Sequence, residues 1–192
     1  MIISACDPGK DNFASSFLDV SLVKGRIKYK LLHSKMVQNT VVDLTTEAFK
    51  QVEVFAREMS ADYRKYKPQT IIAERFMNRG SMRGASGEIV SLMLGRMMAF
   101  RIDMTVIPAA SWKNAFNRVQ VLDELYEISP FVPHIVDSIC IGLYHGCKQL
   151  NVKPYEFLAD DREYKSLIKN MERLHGSLSR AEAKAKTQVK GH

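Results

Sequence analysis

Hydrophobic residues fall along this chain in blocks with two different periods. Ile2 to Cys6 is a short apolar run, interrupted only by Ser4, that ends at Asp7-Pro8-Gly9. Such a run reads as a buried strand entering a turn. Phe13 to Val23 is a second β-rich stretch, and Gly25 supplies the next turn. Arg26 to Val37 alternates apolar and polar positions through Ile27, Tyr29 and Leu31. Three strands joined by short turns predict an antiparallel meander. The period then changes. Leu44, Phe49, Val52, Phe55, Ala56 and Met59 recur at helical spacing, with Thr45 or Thr46 as caps and Lys67-Pro68 as the stop.

Thr70 to Ala73 is a short β-branched run followed at once by Glu74. A strand after a helix after a meander implies a crossover, hence parallel pairing with the first strand. Arg75 to Ser86 is basic and glycine-containing and reads as a loop. Gly87 to Arg101 reads as a helix whose methionine-rich side is core. Met104 to Ile107 is a short strand stopped by Pro108, and Ser111 to Glu127 an irregular helix. Pro130 and Pro133 bracket a break, and Ile135 to Leu150 is so apolar that it must be largely buried. The elements predict an α/β domain over 1–152, with helices flanking a mixed central sheet built from the meander plus parallel strands. Beyond it, Lys153 to His192 carries nine Lys or Arg against six Asp or Glu, a net of +3. Tyr164, Leu167, Ile168, Met171 and Leu174 predict one amphipathic helix in this basic extension, with the end from Ala181 disordered.

Composition narrows the function classes. The chain has 192 residues, 46% of them hydrophobic, which excludes a wholly disordered polymer. No apolar run approaches the roughly 20 residues a membrane helix needs, and the first residues do not resemble a secretory signal. Cys6, Cys140 and Cys147 lack metal-ligand spacing and are expected to be reduced, mostly buried thiols of a cytoplasmic protein. The formal charge is +7 and the pI is near 9.3. Those values fit an anionic partner, of which nucleic acid is the commonest, or a basic surface that serves only solubility.

Three acidic groups interrupt apolar segments. Asp7 ends the first strand, Glu74 ends the strand at Ile71-Ile72-Ala73, and Asp137 lies in the first turn of the apolar helix. If the two strands are neighbours, Asp7 and Glu74 emerge at one sheet edge. His134 and Asp137, at i and i+3, face one point. Clustered carboxylates repel unless cations neutralise them, and hard oxygen ligands suit Mg²⁺ or Mn²⁺. Two such ions about 4 Å apart are the usual device for in-line attack on a phosphodiester. Each residue also has an ordinary role open to it. Asp7 could initiate the Pro8-Gly9 turn, Glu74 could pair with Arg75 or Arg79, Asp137 could be a helix-dipole acid, and His134 a satisfied core histidine. His33, His145, His175 and His192 show no comparable acidic neighbourhood and are assigned to structure or surface.

Three segments carry a resemblance. Ile2 to Gly9, Ile72-Ala73-Glu74-Arg75-Phe76-Met77, and His134-Ile135-Val136-Asp137-Ser138 running into the apolar helix resemble, in order and spacing, the RuvC family of Holliday junction resolvases. The likeness spans roughly residues 1 to 150. It implies an RNase H-like fold, a homodimer and two Mg²⁺ ions per site, with Mn²⁺ able to substitute. It also implies paired nicks across a four-way DNA junction, leaving 5′-phosphate and 3′-hydroxyl ends. The four active-site and metal-binding positions implied are Asp7, Glu74, His134 and Asp137, with His134 either ligating metal or positioning water. The stretch between Trp112 and His134 is shorter and more acidic than in familiar bacterial members, and the C-terminal extension is longer. Both traits resemble a phage-encoded or otherwise divergent relative.

The loop after Glu74 holds Arg75, Arg79 and Arg83 beside Phe76. Basic groups around one ring suit phosphate contact plus stacking on an unpaired base. The resemblance implies a wedge aromatic here; packing under the loop is the alternative for Phe76. Lys113 and Arg118 are further candidates for phosphate contact or for a solvated helix face. Symmetric cutting favours a two-fold dimer, for which the Gly87 to Arg101 helix, with Gly95 and Ala99, offers a surface. Besides a junction-selective endonuclease, two readings stay open: an RNase H-like nuclease with branched-DNA or RNA–DNA hybrid specificity, and a non-catalytic nucleic-acid-binding module.

Overall fold

A computed structural model describes residues 1–9, 11–38, 44–76, 85–117, 121–128, 133–154, 156, 162–173 and 176. Its centre is a five-stranded mixed sheet. Strands β1 (Ile2–Pro8), β2 (Asn12–Val23) and β3 (Arg26–Gln38) form the expected antiparallel meander. Val23 pairs with Arg26 across Lys24 and Gly25, both at positive φ (52° and 74°). Two central residues at positive φ make the turn whose twist matches a hairpin, which is why a glycine sits there. Helix α1 (Leu44–Tyr66) then carries the chain back to β4 (Thr70–Glu74), which lies parallel to β1. Thr45 and Thr46 fall within the span of α1. Lys67 turns into the left-handed region at φ 49° ahead of Pro68 and ends the helix. Helix α2 (Ala85–Met98) leads to the parallel edge strand β5 (Met104–Ile107), giving the order β3-β2-β1-β4-β5.

Strand alternation divides the core between the two faces of this sheet. Cys6, Phe13, Phe17, Ile71 and Ala73 pack with Phe55, Met59, Met93 and Met97 of α1 and α2. The methionine-rich side of α2 is core, as its pattern predicts. Ile3, Ala5, Leu18 and Ile72 face the other way, against helices α3 (Ala109–Asn117), α4 (Val121–Ile128) and α5 (Pro133–Gln149). The single irregular helix expected over Ser111 to Glu127 is therefore two helices.

Helix α5 lies unusually close to the sheet. A Cβ on Gly142 would stand 2.5 Å from Leu18 Cδ1 and 3.0 Å from Ala5 Cβ, and one on Gly146 would stand 2.9 Å from Val20 Cγ1. These two glycines permit the approach. At the other end of the contact, Ser138 Oγ is 2.6 Å from Ser16 Oγ in a buried position, which pins the helix start over β2. The helical segment 162–173 also joins this layer. Leu167 and Met171 are fully buried in the α5-side core, Asn170 donates to Tyr29 Oη at 3.1 Å, and Lys28 pairs with buried Glu163. No described helix is long and apolar enough to cross a membrane.

Candidate active site

The register Cys6↔Ala73 between parallel β1 and β4 places Asp7 and Glu74 side by side at the next step. Both strands alternate so that Ala5 and Ile72 meet α5, and Asp7 and Glu74, two residues on, share that face. They stand at the carboxyl ends of parallel strands, where open α/β sheets place their ligands. The amino end of α5 overhangs this edge, because the close contact at Gly142 and the Ser138–Ser16 bond fix where the helix crosses. Pro133 begins α5, so Asp137 sits in its second turn, one turn deeper than its sequence position predicts.

Each acid has a protein donor. His134 Nδ1 lies 2.7 Å from Asp7 Oδ2. Trp112 Nε1 donates to Glu74 Oε2 at 2.7 Å. Tyr126 donates its hydroxyl to Asp137 Oδ1, and Lys113 Nζ stands 3.6 Å from Asp137 Oδ2. Trp112 and Lys113 are neighbours on α3, and the lysine also lies over the indole, 5.0 Å from its centre.

The electrostatics couple these groups. Burial pushes the Glu74 carboxyl up, the Trp112 N–H works against the shift, and Asp7 and Asp137 add to it. Burial likewise raises Asp137, opposed by Tyr126 and Lys113, with Asp7 again pushing up. His134 is raised chiefly by its bond to Asp7. Three carboxylates near one another, two of them resisting ionisation, form a donor set that fits a hard divalent cation. As placed, no three His, Cys, Asp or Glu side chains among the described residues converge on one point. Each carboxylate is held instead by its own donor.

A pH dependence follows with a definite sign. Raised values for His134, Glu74 and Asp137 mean that the folded protein holds these protons more tightly than the unfolded chain. The stability they contribute is complete below the ordinary carboxylate and imidazole values, about 4 and 6.5, and is lost as pH rises through the raised ones. A divalent ion bound at this edge would favour the charged carboxylates. The rise in melting temperature on adding Mg²⁺ to chelator-treated protein is thus expected to be larger at pH 8 than at pH 5. An equal rise at both pH values would show that the acids are not coupled in this way.

The structure brings Asp7 and His134 into direct contact and sets Glu74 and Asp137 within electrostatic reach of them. Arg75 is exposed directly beyond Glu74, and its amide bonds Ile107 O at 2.6 Å, continuing the β4–β5 pairing. Phe76 is half-buried and, with Arg75, Val90, Leu94 and Val106, lines a cavity of about 520 Å³ between α2 and the sheet edge. Lys113 lies beside Asp137, inside the acidic cluster rather than on a remote helix face. Arg79, Arg83 and Arg118 lie outside the described residues. Trp112 and Tyr126 were missed by sequence reasoning; the only signal for Trp112 was that it is the sole tryptophan of the chain. His33 does have an acidic neighbour: its Nε2 is 3.8 Å from Asp62 Oδ1 and its ring stacks on Tyr66. Periodicity could not reveal this, because Asp62 comes from α1 packing across β3. The pair lies on the opposite face of the sheet from Asp7.

No protein-family model and no curated protein sequence matches the chain. Solved structures do resemble it. RuvC of Thermus thermophilus in complex with a Holliday junction substrate aligns with a TM-score of 0.63 at 18% identity, over 78% of this chain and 96% of that one. A second structure of Thermus thermophilus RuvC aligns with a TM-score of 0.61 at 18% identity, over 79% and 98%. The yeast mitochondrial Holliday junction resolvase aligns with a TM-score of 0.52 at 9% identity, over 92% and 83%. At such identities the likeness is one of fold, and the α/β fold with its mixed sheet is the RNase H-like fold these proteins share.

Proposed function

We propose that this chain is a divalent-metal-dependent, structure-selective DNA endonuclease that resolves four-way junctions. The observation that carries the proposal is the gathering of Asp7, Glu74, His134 and Asp137 at the carboxyl edge of β1 and β4 beneath the start of α5. Shared fold with junction resolvases supports the substrate class, and the +7 charge supports a polyanionic partner.

Asp7, Glu74 and Asp137 would hold two Mg²⁺ ions, or Mn²⁺ in their place, with His134 either completing the ligand set or orienting the attacking water. Bound there, the paired ions supply the charge that acidifies a water and stabilises the departing 3′ oxygen. The chain's own residues do the rest. Asp7 fixes the His134 ring by its hydrogen bond, and Trp112 orients Glu74. The Lys113 ammonium stands where it can meet a scissile phosphate. Water adds to phosphorus, the P–O3′ bond breaks and the 3′ oxygen takes up a proton, giving 5′-phosphate and 3′-hydroxyl ends. Arg75 contacts the backbone near the junction centre and Phe76, at the mouth of its cavity, stacks on an unpaired base; Arg79, Arg83 and Arg118 add phosphate contacts.

Symmetric nicking requires two copies of the site, so the working form is a homodimer. The outward side of α2 is the candidate contact. Among the described residues outside its own turns of helix, nothing lies within 4 Å of the Gly95 Cβ position, and Met98 is 62% exposed.

A panel of four-way, three-way, flap, linear and RNA–DNA hybrid substrates in Mg²⁺, Mn²⁺ or chelator tests the proposal. Paired nicks at symmetric positions of the four-way junction, lost in chelator, are expected. Preferential cutting of the hybrid would move the protein to a ribonuclease H-type activity. Binding without metal-dependent cutting would make it a non-catalytic module.

A further inference from the structure

Asp137 is the one site acid held by a hydroxyl from a separate short helix, and that helix is itself tied to the C-terminal extension. Helix α4 is eight residues long. Its Leu125 is fully buried in the α5-side core, and the residue after it, Tyr126, donates to Asp137 Oδ1. On the same helix Glu124 accepts a hydrogen bond from the Tyr164 hydroxyl. Tyr164 belongs to segment 162–173, whose Leu167 and Met171 are buried in that core and whose Glu163 pairs with Lys28 of β3. An unbroken series of contacts thus runs from the extension through α4 to the active-site edge.

We infer that Tyr126 is a positioning residue for the metal site and that the C-terminal segment, through Tyr164 and Glu124, is the buttress that holds it. The inference rests on the reading of Asp7, Glu74 and Asp137 as cation ligands. With Tyr126 on Oδ1, the Asp137 carboxylate presents Oδ2 towards the cluster, where Lys113 now stands 3.6 Å away. A carboxylate with a fixed second oxygen loses less rotational freedom on taking a cation. Outer partners of metal ligands characteristically contribute 10- to 100-fold in affinity, a range expected to apply here at about the same size. The extension then has a task beyond the general attraction of its positive charge for DNA: it sets how well the acidic edge is organised.

The test is a Mn²⁺ titration of the full-length chain without DNA, read by electron paramagnetic resonance. Tyr126→Phe is expected to weaken Mn²⁺ by about 10- to 100-fold, to leave the melting temperature within a few degrees of wild type, and to leave junction binding in chelator unchanged. Tyr164→Phe is expected to weaken Mn²⁺ by a smaller factor. Combined with Tyr126→Phe it is expected to add nothing, because both act through one hydroxyl. Wild-type Mn²⁺ affinity in Tyr126→Phe would overturn the inference, and a fully additive double variant would overturn the buttress. Should Tyr126→Phe fail to fold, Tyr164→Phe carries the test alone, and wild-type affinity there overturns it. Asp137→Asn is the reference. If it too binds Mn²⁺ like wild type, the acid-site reading itself is wrong; if it loses Mn²⁺ while Tyr126→Phe does not, only the present inference falls.

Discussion

Asp137→Asn is expected to reduce junction cleavage by about a thousandfold or more, while junction binding is kept or strengthened. The substitution is nearly isosteric. It preserves an oxygen that can accept from Tyr126, so the local geometry survives. What it removes is a negative charge that burial already disfavours and that would repel a phosphate arriving at the same edge. Loss of a cation ligand acts on the transition state, whereas loss of the repulsion acts on binding, so the two readouts move apart. Gel-shift affinity in chelator and single-turnover cleavage in Mg²⁺ measure them separately. Cleavage at the wild-type rate would remove Asp137 from the site. Weakened binding together with weakened cleavage would point instead to misfolding.

The second large effect lies away from the chemistry. Gly142→Val is expected to destabilise the protein by about 1–3 kcal/mol, the usual cost of overpacking a filled core. For a chain of this size that lowers the melting temperature by about 2–12 °C. The new Cβ would stand 2.5 Å from Leu18 Cδ1 and 3.0 Å from Ala5 Cβ. Leu18 is fully buried with little room to turn, and a Cβ carried by the β1 backbone cannot yield. Helix α5 must therefore lift, taking His134 and Asp137 with it while Asp7 and Glu74 stay on the strands. A displacement of about 1 Å at a reacting centre is enough for a hundredfold loss, so cleavage is expected to fall by up to about that factor. A smaller change, Gly95→Ala in α2, is the comparison, for stability alone because its face is the proposed dimer contact. Among the described residues outside its own turns of helix, nothing lies within 4 Å of its Cβ position, and the added methyl there is expected to stabilise by about 0.5–1 kcal/mol. Equal effects at the two glycines would contradict the close packing of α5.

Much of this architecture was legible in the chain because period and punctuation agree. The meander, the parallel return at Thr70, the buried methionine side of α2 and the apolar α5 all follow from alternation or helical spacing bounded by Gly or Pro. The amphipathic pattern of Tyr164, Leu167, Ile168 and Met171 likewise marks the described helical segment 162–173. Asp7, Glu74, His134 and Asp137 stood out because charged or ionisable groups inside apolar blocks need a reason to be there. Other features were silent. α3 ends at Asn117 and α4 begins at Val121, and no Gly or Pro between Ser111 and Glu127 announces two helices. Trp112, Tyr126 and the His33–Asp62 contact depend on which helix face meets which strand. Such long-range pairings leave no period in the sequence. The docking of Leu167 and Met171 into the core was hidden for the same reason: an amphipathic stripe announces that a face is covered, not what covers it.

Crystals soaked in Mn²⁺ and examined by anomalous diffraction test the central claim most directly. The account predicts anomalous peaks at the carboxyl edge of β1 and β4, within ligand distance of Asp7, Glu74 and Asp137. Mn²⁺ peaks only at other positions, with those acids still bound to their present donors, would contradict it.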